Sequence, residues 1–124
     1  MTPASLTAAL RACASGLYAA EAAVGTLTAH AAWLDRDDFS QFVHADPAAK
    51  MAAIDWTAAI TALTAGELPS SNREQKMLRM AASLAGQAPV ILGDAITGLD
   101  ERNIQILVKA VLHASGQRQF PPAP

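Results

Sequence analysis

The sequence predicts an all-α fold, a single-domain bundle of about six helices opened by a long N-terminal helix. Apolar residues recur at periods of 3.5 or 3.6, and no β-type alternation of apolar and polar residues stands out. Helix-starting and helix-stopping residues fall between the periodic stretches. Composition adds a third argument. Of the 52% apolar residues, 29 are alanines, whereas Leu, Ile, Val and Phe number only 27 in 124 residues. Such a core calls for helices drawn close by small side chains, with few aromatics. A net charge of −2 does not favour disorder. Residues 1–116 read as one domain, and the Pro-rich tail 117–124 reads as disordered.

Thr2-Pro3 supplies a cap and first residue for a helix running to about residue 33. Along it Leu6, Leu10, Cys13, Leu17, Ala20, Val24, Leu27, Ala31 and Leu34 recur at alternating steps of four and three, a four-heptad seam. The seam of residues 6–34 packs either into its own domain or between two chains. Gly16 and Gly25 each cost about 1 kcal/mol in a helix interior, and a kink or break is expected near Gly25.

A short helix follows over about residues 36–44. Asp46-Pro47 starts a third, ended by Gly66. Ser71-Asn72-Arg73-Glu74 is a capping box for a fourth, which turns Met77, Met80, Ala81 and Leu84 inward and stops at Gly86. Pro89 begins a short fifth helix to about Thr97. After Gly98-Leu99-Asp100 comes the last, ended by Gly116, with Ile104, Leu107, Val108, Val111 and Leu112 as its inward stripe and Ile106 left outside it.

Several function classes lose support at once. The single Cys13 excludes an internal disulfide framework and fits a reducing, cytoplasmic setting. The N-terminus lacks the basic start of a signal peptide, and no apolar run is long enough for a membrane span. No basic block calls for nucleic acid. His30, Asp35, Asp37, Asp38, His44 and Asp46 carry ligand chemistry without a pair at metal-binding spacing, so no metal or other cofactor is expected. No nucleophile elbow or phosphate-cradling loop appears, and no catalytic residue is assigned.

Three readings remain. The leading one is a small helical protein working through protein–protein contact, as a homo-oligomer or docked on a larger partner. Leu10, Leu17 and Val24 on the seam, with Ile106 and His113 on the last helix, are its candidate interface. The second is a helix-turn-helix DNA binder over residues 90–115, with Arg102, Gln105 and Lys109 as contacts, although Asp100 and Glu101 open the recognition helix with the wrong sign for phosphate. The third is a small-ligand pocket or enzyme site. On a helical wheel for residues 47–65, Asp55 falls between two apolar sectors, where a carboxylate must find a partner or a proton. Asp55 and Trp56 would line such a pocket. Trp33 and His44, from the segment WLDRDDFSQFVHADP, either plug the core at a helix corner or present an aromatic surface.

The stretches AIDWTAAITALTAGELPSS (residues 53–71) and MLRMAASLAGQAPVILGDAITGLDERNIQILVKAVLHASG (77–116) resemble a group of small uncharacterised alanine-rich helical proteins common in actinobacteria. That resemblance implies an alanine-rich helical protein of the cytoplasm and assigns no ligand, activity or functional residue.

Overall fold

The computed structural model describes residues 2–121. Among them the order is α1 (Pro3–Ala14), α2 (Tyr18–His30), a 3-10 turn (Ser40–Phe42), β1 (Val43–Asp46), β2 (Met51–Ile54), α3 (Trp56–Thr64), α4 (Asn72–Leu84), α5 (Leu92–Ile96) and α6 (Glu101–Ala114). The chain is thus mostly helical, with six α-helices among the described residues and one small two-stranded sheet.

The long N-terminal helix does not form. It breaks at Gly16, whose φ of +90° suits glycine and ends α1, not at Gly25, which lies inside an unbroken α2. Glu21, in the first turns of α2, accepts the Gly16 amide at 3.1 Å and so fixes the corner. With the helix folded back on itself, the heptad seam is not one surface. Leu10 and Val24 are buried in the same core cluster, whereas Leu17 stands at the corner with 66% of its surface exposed.

The expected helix over 36–44 and the expected start at Asp46-Pro47 are replaced by turns and a β-hairpin. Val43 pairs with Ile54 and Ala45 with Ala52 on one face; His44 pairs with Ala53 and Asp46 with Met51 on the other. Alanine hid this alternation, because a four-residue strand half made of alanine has almost no polar-apolar contrast to read. Asp46 accepts the Ala49 amide at 3.2 Å in the turn that follows β1. Lys50 completes that turn at φ +54°.

The later boundaries match expectation more closely. Ser71 and Glu74 close the capping box, Glu74 Oε1 accepting the Ser71 amide at 2.9 Å and Ser71 Oγ accepting the Glu74 amide at 3.2 Å. Gly66, Gly86 and Gly116 follow the ends of α3, α4 and α6 with positive φ.

Helix α2 is the centre of the molecule. It packs on α6, α4 and α1, and its Ala22, Ala23 and Leu27 are wholly buried. Small side chains there let the neighbouring helices approach closely. One core cluster gathers Leu27, Trp33, Phe39, Phe42, Leu63 and Leu78; a second joins Leu10, Val24 and Ala52; a third joins Met77, Met80, Ile106 and Leu107.

Helix α6 is rotated from the expected orientation. Its buried residues are Asn103, Ile106, Leu107, Ala110 and His113, while Val108 and Val111 are each 53% exposed. The cause is visible on α2. Asn103 Oδ1 meets His30 Nδ1 at 3.2 Å, and His113 Nε2 meets Glu21 Oε1 at 2.8 Å, so the polar members of the buried face are partnered across an antiparallel helix pair. Apolar periodicity alone favoured the other side.

Residues Gln117–Pro121 fold back as a strap over α2 and α6; the remaining part of the expected disordered tail, 122–124, lies outside the described residues.

Candidate functional site

Asp55 is not a buried carboxylate. It is exposed and is the N-cap of α3, its side chain accepting the Ala58 amide at 3.1 Å. The wheel that buried it assumed a helix from residue 47, whereas the helix starts one residue after Asp55. Trp56 is half-buried against the largest core cluster.

The aromatic rings of WLDRDDFSQFVHADP pack into the core. Trp33 is fully buried, and its indole N–H donates to the Glu74 carbonyl at 2.7 Å. Phe39 lies 5.6 Å from the Trp33 ring and 5.8 Å from the Phe42 ring, in tilted and edge arrangements. Arg36 covers the indole at 4.6 Å and grips Asp38 with two hydrogen bonds of 2.8 and 2.6 Å. That grip lowers the Asp38 carboxyl below its ordinary range and raises the guanidinium. Asp35 and Asp37 stand exposed and cap no helix.

His44 is exposed on the hairpin. With Asp46 and Cys13 it lines an open groove of about 220 Å³. Cys13 also lines a second hollow of about 140 Å³ with Trp56. On an unbroken seam this thiol would face a packed neighbour, but the break at Gly16 leaves it exposed. No three His, Cys, Asp or Glu side chains among the described residues are close enough to hold a metal ion. The Asp46 carboxylate is occupied by its own turn, so the groove shows a thiol and an imidazole without an orienting carboxylate.

Two other surfaces have more to them. The first is the outer face of α6. Val108 and Val111, flanked by partly buried Ile104 and Leu112, follow helical spacings of three and four on the side opposite the buried stripe. On α5 and just before it, Ile91 is 75% and Leu92 58% exposed.

The second surface lies beneath the strap. The buried His113 uses both ring nitrogens. Nε2 faces Glu21, and Nδ1 accepts the Gln119 and Phe120 amides at 3.0 and 3.1 Å. Accepting at Nδ1 puts the ring proton on Nε2, which therefore donates to the carboxylate. That hydrogen bond, aided by the Gly16 amide, lowers the Glu21 carboxyl below 4.5, against the opposing effect of burial. Phe120 lies on Gly25: a methyl group there would come within 2.5 Å of the ring. Glycine in the middle of α2 is thus explained by close approach, not by a kink.

Arg102, Gln105 and Lys109 are all exposed on one flank of α6. With Ala29, Ile106 and the strap they line a cavity of about 400 Å³. One Arg102 N–H donates to the Ala29 carbonyl at 3.0 Å, and Gln105 touches Glu101 at 3.3 Å. Of the proposed interface residues, Leu10, Val24, Ile106 and His113 lie in the chain's own core, and Leu17 alone is exposed.

No family model, curated protein or solved structure matches the chain. Among the described residues no helix is long and apolar enough to cross a membrane.

Proposed function

We propose that this protein acts through protein–protein contact, by self-association along the outer face of α6. The observation that supports the reading is the second apolar stripe of that helix. Val108 and Val111 are β-branched, half-exposed and placed one turn apart, with Ile104 and Leu112 beside them. An amphipathic helix needs one apolar face for its own core, and α6 has two. A second copy of the same face would bury both stripes symmetrically. The heptad seam offers no single surface, because Leu6, Leu10 and Cys13 lie on α1, Ala20, Val24 and Leu27 on α2, and Leu17, Ala31 and Leu34 outside both.

Sedimentation equilibrium tests the proposal. The expected result is a concentration-dependent dimer that Val108→Glu with Val111→Glu converts to a folded monomer. A monomer at high micromolar concentration, unchanged by those substitutions, would refute it. The DNA-binding reading gains no support from the geometry: Arg102, Gln105 and Lys109 share a face with Glu101, and Asp100 precedes it.

A further inference from the structure

The strap is an imperfect occupant of its groove. Phe120 fills the notch at Gly25, yet the flanks carry Arg11 on one side and Arg102 with Lys109 on the other. The strap, Gln117-Arg118-Gln119-Phe120-Pro121, brings no acid to meet them. Its own cation, Arg118, points elsewhere and sits 5.8 Å over the Tyr18 ring. Glu21, which lines the notch beside Arg11, is engaged by His113 and the Gly16 amide, and Glu101 on α6 by Gln105. Gln117, Arg118, Gln119 and Pro121 are exposed, so the described attachment of the strap rests chiefly on Phe120 and the two amides on His113. Segments with so few buried contacts open readily.

We propose that this groove is a docking site for an acidic, aromatic segment of a partner protein, with the strap as its internal placeholder. The partner's aromatic ring replaces Phe120 on Gly25, and its carboxylates pair with Arg102, Lys109 and Arg11. Release of the strap is the gate, so apparent affinity is reduced by the fraction of molecules whose groove is closed. This inference extends protein–protein contact to a second partner at a different surface. It stands or falls independently of dimerisation through Val108 and Val111.

The test is fluorescence anisotropy with the full chain and labelled peptides. The probe is Glu-Asp-Phe-Pro-Glu; the controls are Lys-Arg-Phe-Pro-Lys and Glu-Asp-Ala-Pro-Glu. The acidic aromatic peptide is expected to bind best, and Phe120→Ala to tighten it by about tenfold by removing the competing strap. Lys109→Glu, at an exposed position, is expected to weaken it by about tenfold, as a charge reversal at a paired contact should. Equal binding of the basic peptide, no gain with Phe120→Ala, or no binding to either form would overturn the proposal. Circular dichroism of each variant establishes that it is folded, and the Lys109 substitution provides a test without altering the strap. Because the readout is peptide binding at fixed protein concentration, failure here leaves the sedimentation result untouched.

Discussion

Replacing Gly25 by alanine pits two known effects against each other. In a helix interior the change gains about 1 kcal/mol of propensity. Here the new methyl would lie 2.5 Å from Phe120 Cδ2, well inside the roughly 3.5–4 Å that carbon atoms require. The ring sits on a short strap, so the strap yields before α2 does. What is then lost is the docking of Phe120, about 1 kcal/mol for a half-buried phenylalanine, together with two hydrogen bonds to His113 worth about 1 kcal/mol each at most. The entropy regained by residues 117–121 offsets part of that loss. In the full chain the substitution is therefore expected to be neutral or destabilising by up to about 2 kcal/mol. With the strap already undocked by Phe120→Ala, the same substitution should stabilise by the full propensity gain, about 1 kcal/mol, or roughly 3–5 °C in Tm for a domain of this size. A thermal-denaturation double-mutant cycle measures the difference directly. Amide exchange at Gln119 and Phe120 supplies a second readout, since their protection should vanish in Gly25→Ala. Equal stabilisation by Gly25→Ala in both backgrounds would show that Phe120 does not rest on this glycine.

Acid stability should depend on two glutamates whose carboxyls lie below 4.5 in the folded chain, Glu21 through the His113 hydrogen bond and Glu74 through the Ser71 amide and hydroxyl. A depressed folded value means that the stabilisation is complete above the unfolded value and is lost as pH falls through the folded one. Denaturation below pH 4.5 should therefore be shallower in Glu21→Gln and Glu74→Gln; an unchanged acid limb would refute both assignments. Asp55→Ala should cost about 1 kcal/mol as a lost cap, read from urea midpoints, and Asp55→Asn should restore most of it. Ala31 follows α2 at φ +70° and ψ −35°, with the Ala32 amide bonded back to the His30 carbonyl at 2.9 Å. That is the strained form of a γ-turn, so Ala31→Gly should stabilise by about 1 kcal/mol, and a lower Tm would count against it. Trp33→Ala, emptying a fully buried site, should cost about 3–5 kcal/mol and abolish the cooperative transition or lower its midpoint steeply.

What the sequence revealed depended on how local the determining interaction was. The capping box at Ser71 and the glycine stops at 66, 86 and 116 need only neighbouring residues, and they stand where the pattern put them. The break at Gly16 was also local, but an unbroken apolar repeat ran across it, and periodicity outweighed one glycine. The hairpin was hidden by alanine, which suits either period. The orientation of α6 depended on partners 73 and 92 residues away, His30 and Glu21, which no local pattern reveals. Asp55 falls between apolar sectors only on a helix drawn from residue 47; with the helix starting at Trp56 it is the cap. The seat for Phe120 had one trace in the sequence: a glycine inside a helix that does not bend.

The antiparallel pairing of α2 with α6 also has a consequence for how the chain reaches this state. The helix at the centre of the molecule is made early, yet α6, on which it packs, begins some seventy residues after it ends. Until α6 arrives, the alanine-lined surface of α2 has no cover on that side and His113 cannot take the Glu21 carboxylate. Closing so long a loop carries its entropy cost before the contact repays it, and helical proteins with distant contacts fold more slowly than those with local ones. Most of the secondary structure is therefore expected to precede the final consolidation of the core. Docking of α6 on α2 is therefore the contact expected to form last.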